Sequence, residues 1–483
     1  MKLRTIGSIL LSAALLLSFV GNANGSIFHK EQNHSYEIQK FSSSDDTYAD
    51  SQWYINNPGF YTNYSFKTSH KINSDEGIDT NVGKAWDYIK QKENEKHEVV
   101  VAVIDTGVDY NHPDLAKNMW INKGEIPGDN IDNDHNGYVD DIYGWDFYNQ
   151  DASVYAYEEE DGQQRASYED NDNHGTHVAG IIAAVANNNQ GIAGIASNVN
   201  IKIMSLKVNG GTNGSGNMDN AVQAINYAEK MGADICNISW GALGYTQQLR
   251  DTIKNSKMLF VAAAGNFTAD NDLQPVYPAS FHFNNMISVT AIDALGQLGE
   301  KADFGLKSVD VAAPGIDIYS TVVGGYDYMS GTSMAAPQVS AIAALVYAAG
   351  NKPDAAQVKS IILNNVKELS QLKGVIKYNG IPDAYQIVKA VNEVNKKSEE
   401  KSNAFVLDQN SKPVNEQEMK EIKLPKHGAI HEDVNSVEDI LPKENAMVTI
   451  TLFGQINSFS TDIIKLNKTI HSDWKRRSLY RRI

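Results

Sequence analysis

Cysteine is nearly absent from these 483 residues: Cys236 stands alone. No intramolecular disulfide can form, so stability has to come from packing and, in an exported chain, from bound metal ions. Cys236 falls in the apolar run 233–239, where a small buried thiol is expected and no function is assigned. Long hydrophobic runs are equally scarce. Residues 6–20 form one, behind Lys2 and Arg4 and ahead of the small residues Gly21, Ala23 and Gly25. It is shorter than the roughly 20 residues of a membrane span, and the layout is that of a secretory signal peptide over residues 1–25, cut near Ala23. No other stretch reads as a transmembrane helix, so an extracellular monomer without a membrane span is expected. Positive charge is in deficit, with 42 Lys+Arg against 59 Asp+Glu and a net charge of -17. That balance argues against a nucleic-acid partner. The deficit is local: from Glu125 to Asp172 there are fifteen acidic residues and a single basic one, Arg165.

Residues 26–48 are polar without a period and read as a short lead. Over 49–396, short β-branched runs alternate with amphipathic or apolar helical stretches. Strands are expected at 98–105, 200–208, 233–239, 258–264 and 286–291, and helices at 82–90, 176–186, 218–230, 333–349, 354–365 and 382–394. Buried apolar strands interleaved with helices imply an α/β domain, a doubly wound parallel sheet covered on both faces. Beyond 396 the composition turns to Lys, Glu, Asn and Ser. Residues 397–483 therefore read as a charged linker and C-terminal tail, with a short strand pair expected in 447–459 and a basic end at 474–482.

Three strings stand out. The first expected strand ends in Asp105-Thr106-Gly107, at the rim where parallel sheets place their sites. His174-Gly175-Thr176-His177 opens a helix, and Gly331-Thr332-Ser333-Met334-Ala335 leads into another, with Ser333 at its positive N-terminus. Each alone has an ordinary structural reading: a strand-end turn, a two-histidine metal half-site, an N-cap. Together they supply the roles of acyl transfer, because serine needs a base to take its proton and that base needs a carboxylate to orient it. The order Asp, His, Ser is the one found in subtilisin.

These strings, with Asn111-His112-Pro113-Asp114-Leu115, resemble the signatures of the subtilisin-like serine peptidases over about 52–394. The resemblance implies the subtilisin-like fold and a serine endopeptidase with Asp105, His174 and Ser333 as its triad. It also implies an oxyanion role for Asn266, in Ala263-Ala264-Gly265-Asn266. Gly214-Ser215-Gly216 and Ser239-Trp240-Gly241 look like the family's two substrate-flanking edges, between which a polypeptide would add as an extended strand. Ala264 and Gly265 would also bind substrate, and Phe267 and Val276 would line the pocket for the residue on the acyl side of the cleaved bond. Val276, uncharged and β-branched, predicts a shallow apolar pocket, unless Asp270 or Asp272 reaches it and favours basic residues. The alternative from another class is a catalytically silent, calcium-binding interaction module of the same fold.

Within the acidic window, Asp132, Asp134 and Asn136 place oxygens on alternate residues, with Gly137 following and Asp140 and Asp141 close behind. This reads as a shortened calcium loop, lacking the glutamate that closes the longer version. A second calcium site, at Asp114 and the loop 187–192 with Asn188, is implied by the resemblance alone. Calcium is the one cofactor expected, and no organic cofactor. Two departures accompany the family pattern: a long acidic interval between Asp105 and His174, and less chain ahead of the domain than a folding propeptide usually occupies.

Overall fold

The computed structural model describes residues 44–64, 69–90, 97–160, 163–167, 172–211, 214–350, 353–408 and 449–452. The expected signal peptide and most of the expected linker and tail lie outside these residues. In chain order the elements that build the site are helix α1 (Val82–Lys90), strand β1 (Val99–Asp105), β2 (Gly144–Asp146), α2 (Asn173–Ala183) and β3 (Ile201–Lys207). There follow β4 (Ser215–Asn217), α3 (Met218–Lys230), β5 (Ile235–Ile238), β6 (Trp240–Gly241), α4 (Gln247–Asn255) and β7 (Leu259–Ala263). The remainder are β8 (Met286–Ile292), β9 (Val311–Pro314), α5 (Thr332–Ala349), α6 (Ala355–Leu363), α7 (Ala384–Asp408) and β10 (Thr449–Leu452).

Seven strands form one parallel sheet in the order β9-β8-β7-β5-β1-β3-β2. Side chains of a strand alternate between the two faces, and here the alternation separates two cores. Val99, Val101 and Val103 of β1, with Leu259 and Val261 of β7, face the core built on α1, α2, α5, α6 and α7. Val100, Ala102 and Ile104, with Phe260 and Ala262, face the core of α3 and α4. Both faces being covered explains why the strands carry near-continuous apolar runs. Cys236 belongs to the second core, its thiol against Met258, and burial pushes its pKa up. Such a thiol is inert.

The expected doubly wound parallel sheet is therefore present, with differences at its edges. Helix α2 begins three residues earlier than its apolar pattern indicated, and α7 runs on to Asp408. Helix α4 was not anticipated because only Leu249 and Ile253 mark its buried side. Strands β2 and β9, of three and four residues, are too short to show a period. Among the described residues α5 is long and apolar enough to cross a membrane, contrary to the expectation that nothing beyond the leader would be; 89% of it is buried inside the protein. Order also begins before residue 49, since Asp46 is buried and the Tyr48 N–H donates to the Gly191 carbonyl.

Strand β10 is the other departure. Of the range 447–459, where a strand pair was expected, only 449–452 are among the described residues, and they lie antiparallel between β4 and β6, far from them in sequence. A small sheet of four strands results, completed by Asn209–Gly210.

Candidate active site

The parallel register brings Asp105, at the end of β1, level with Lys207, at the end of β3. One strand over, β5 ends beside Ile104 and passes into Ser239, while β7 ends in Ala263 and passes into Gly265 and Asn266. The rim of the sheet thus gathers four of the expected residues before any helix is added. The loop after β1 then docks the first turn of α2: the Gly175 N–H donates to Thr106 Oγ1 at 3.0 Å, and the Asp109 N–H to Thr176 Oγ1 at 3.0 Å. Only glycine fits at 175, since a Cβ there would sit 2.2 Å from the Gly107 carbonyl. This docking places His174 Nδ1 2.6 Å from Asp105 Oδ1, both side chains fully buried. The carboxylate fixes the imidazole with Nδ1 as donor, and Nε2 is buried without a hydrogen-bond partner.

Helix α5 brings Ser333 to the same rim. Its hydroxyl donates to the Ser239 carbonyl at 2.8 Å, and Ser239 Oγ donates back to the Ser333 carbonyl at 3.1 Å. Pro337 makes the return bond possible: lacking an N–H, it leaves the carbonyl four residues earlier without its helical donor. The serine hydroxyl is therefore bonded to Ser239 and not to His174. Asn266 is held from one end, its Oδ1 accepting from the Thr332 N–H and Oγ1, each at 3.1 Å. The amide nitrogen is the end left to donate, beside the first turn of α5, whose N–H groups have no intrahelical acceptors. Gly265, at φ +123°, has to be glycine, because a Cβ would meet Asp303 at 2.1 Å.

Sequence reasoning missed the residues that hold these groups. Asp172, just before α2, and Lys207 form a fully buried ion pair, and Lys207 also donates to the Thr106 carbonyl at 2.5 Å. The pair joins the ends of β1 and β3 to the start of α2. Asp303 is the second omission: its Oδ1 accepts from the Phe267 and Ala269 N–H groups at 2.8 Å each, while its buried Oδ2 has no partner. Burial raises its pKa to about 7. A carboxyl whose folded pKa lies above its unfolded value binds more protons in the folded state between the two. Stability is then highest below the ordinary carboxyl range and falls as pH rises to about 7, by at most about 1.4 kcal/mol per pH unit for one proton. We expect Asp303→Asn to flatten the decline of the thermal midpoint between pH 4.5 and 7.5, measured by scanning calorimetry; an unchanged slope would assign the decline to other groups.

His177 is a core residue. Its Nε2 lies 3.0 Å from the Ile318 carbonyl, and burial, reinforced by His174, pushes its pKa down to about 3. The expected substrate edges come together around β10, with Gly216 opposite Ile450 and Gly241 opposite Thr451. The Trp240 side chain, however, is buried and donates to the Ile104 carbonyl, so that residue offers only backbone. Ala264 is likewise fully buried, and Phe267 only partly. Val276 has no exposed surface and packs in the main core. Asp272 is turned away, accepting from the Lys307 and Ser308 N–H groups, and Asp270 accepts from the Asp272 N–H.

The acidic loop differs in detail from its expected ligand set. The carboxylates of Glu125, Asp134 and Asp141 bring oxygens within 4.8 Å of one another. Amides of Asn122 and Asn136 both donate to Asp134 and Asp141. Asp132 and Asp140 instead accept from loop N–H groups, at Asn136 and Gly137 and at Gly128 and Asn130. Glu125 lies too far from the alternating run to be read as its ligand. At the second place, Asn188 Nδ2 donates to Asp114 at 2.7 Å, and burial raises the Asp114 pKa to about 6. Asp46, absent from the expected set, accepts from the Asn187 and Asn188 N–H groups. His112 Nδ1 accepts from the Asp114 N–H, which leaves Nε2 to donate to the Gly325 carbonyl and ties the motif to residues 325–329.

The chain is similar in sequence and in structure to known proteases. The chain is 35% identical over 301 residues to the thermophilic serine proteinase of Bacillus sp. strain AK1, a match covering 62% of each chain. It is 32% identical over 313 residues to subtilisin-like protease 1 of Plasmodium berghei, covering 60% of this chain and 49% of that one. The match thus spans about half to under two thirds of the length of these relatives. A solved protease structure from Pseudoalteromonas arctica superposes with a TM-score of 0.52 at 26% identity, over 72% of this chain and all of that one. The family model for the subtilases matches residues 96–401, from β1 into α7 and so across every strand and helix that carries the rim residues. The chain belongs to the subtilase family.

Proposed function

We propose that this protein is a secreted serine endopeptidase that hydrolyses extended polypeptides through an acyl-enzyme. The observation that carries the reading is the buried 2.6 Å contact of His174 Nδ1 with Asp105, on the same sheet rim as Ser333 and Asn266. Ser333 Oγ attacks the scissile carbonyl after turning from Ser239 toward His174, exchanging its bond to the Ser239 carbonyl for one to the imidazole. His174 Nε2 takes its proton and later gives it to the leaving amine, while Asp105 stabilises the imidazolium. The Asn266 amide and the Ser333 N–H stabilise the oxyanion. Water then releases the acyl group by the same route in reverse. Substrate backbone pairs between β4 and β6, which favours unfolded segments. Export is supported by the residues of the N-terminal leader. The test is digestion of an unfolded protein by the purified chain, with fragments identified by mass spectrometry. No cleavage by folded protein would favour the silent interaction module.

Calcium is the proposed structural ion. Glu125, Asp134 and Asp141 would hold it, and Asp114, Asp46 and Asn188 would serve a second ion. The ions would offset repulsion among carboxylates and staple loops in a chain without disulfides. Prolonged chelation should lower the thermal midpoint by several degrees and hasten self-digestion, with recovery on adding calcium. An identical midpoint in chelator and in excess calcium would contradict the proposal.

A further inference from the structure

Strand β10 occupies the place where a substrate would bind. Trp240 faces Leu452 and Gly241 faces Thr451 on one side, while Ser215 faces Thr451 and Gly216 faces Ile450 on the other. Both pairings are antiparallel, so Thr449–Leu452 is the middle strand between the two edges assigned above to substrate. Its direction is informative. Moving from Gly241 to Trp240, toward Ser239, on one strand corresponds to moving from Thr451 to Leu452 on the other. Ser239 is the residue whose carbonyl accepts from the Ser333 hydroxyl. The segment therefore runs toward the nucleophile, amino end first, as the acyl side of a bound peptide must.

We propose that the C-terminal tail is an intramolecular substrate of this protease, bound in the cleft through Thr449–Leu452 and cut at the Phe453–Gly454 bond. The proposal rests on the protease reading above and deepens it. Phe453 and Gly454 follow Leu452 in the sequence, and continuing the Trp240–Leu452 pairing by one residue would set Phe453 level with Ser239. Ser333 Oγ bonds to the Phe453 carbonyl carbon as the bond to the Gly454 nitrogen breaks, and His174 passes the serine proton to that nitrogen. Water then cleaves the ester, leaving a carboxylate on Phe453. One water is consumed, and residues 454–483 leave as a 30-residue peptide with seven basic and two acidic side chains. The acyl half stays attached. Forty residues separate Asp408 from Thr449, which at about 3.4 Å each is ample reach for closure within one chain. A tether of this kind presents the segment at an effective concentration on the order of millimolar, so it competes with added substrate before and after the cut.

The test uses the full chain and three forms: wild type, Ser333→Ala and Thr451→Pro. Proline at 451 removes an N–H and resists strand pairing, and lies in the tail, outside the catalytic machinery. Wild type should release a peptide beginning at Gly454, identified by mass, with a first-order rate independent of protein concentration. Ser333→Ala should keep its tail. Thr451→Pro should retain the tail much longer and hydrolyse an added chromogenic peptide with KM about tenfold lower at unchanged kcat. If wild type hydrolyses that peptide but leaves the tail intact, cuts it at another bond, or cuts it only between molecules, the proposal is overturned while the protease reading stands. An unchanged KM in Thr451→Pro overturns it as well. If neither active form hydrolyses the peptide or takes a fluorophosphonate label, the protease reading fails and this proposal with it.

Discussion

Replacing Ser333 by alanine is expected to lower kcat on a peptide substrate by about 10⁶-fold, the loss known for the corresponding change in subtilisin, with the thermal midpoint nearly unchanged. The size follows from the division of labour at the rim: without the hydroxyl, the buried pair His174 and Asp105 has no nucleophile to activate, and only oxyanion stabilisation and binding remain. The fold should tolerate the change because the bond lost, Ser333 Oγ to the Ser239 carbonyl, is one of two between the same residues. Ser239 Oγ keeps its bond to the Ser333 carbonyl and also accepts from Asn237. Steady-state kinetics beside calorimetry separates the two effects. A loss below about tenfold in a folded variant would mean another group is the nucleophile.

Asn266→Ala should lower kcat by 10² to 10³, about 3 to 4 kcal/mol, with KM changed little, because the side chain donates only once charge has developed on the carbonyl oxygen. The variant also removes the acceptor for Thr332, and that contact positions the start of α5. Asn266→Asp distinguishes the two roles: it retains an acceptor for Thr332 but exchanges the donor for a second oxygen. If donation to the oxyanion is the function, kcat falls at least as far in Asn266→Asp as in Asn266→Ala. Recovery of activity in the aspartate form would show that Asn266 acts by holding Thr332.

Groups borne at the ends of long elements were legible in the sequence. Asp105 closes an apolar strand, while His174 and Ser333 open apolar helices, and those runs gave both the elements and the rim. What holds them was not legible, because the partners are distant and locally ordinary. Asp172 and Lys207 are 35 residues apart and meet only because β1 and β3 are neighbours. Asp303 looks like a turn residue until Gly265 and the loop after Asn266 close on it. Glu125 reaches the acidic loop from outside the alternating run, and Asp46 reaches Asn187 and Asn188 across about 140 residues. Strand β10 was unreadable in kind: four residues with β propensity say that a strand can form, and nothing about which edge will receive it.

The central claim is that Ser333 is a nucleophile activated by His174 and Asp105. Its most direct test is to treat the folded full chain with a fluorophosphonate, digest it with another protease, and locate the adduct by tandem mass spectrometry. The account predicts one adduct per chain, on Ser333, formed far more slowly in His174→Ala. A folded protein without an adduct, an adduct on another residue, or equal labelling of His174→Ala would contradict it.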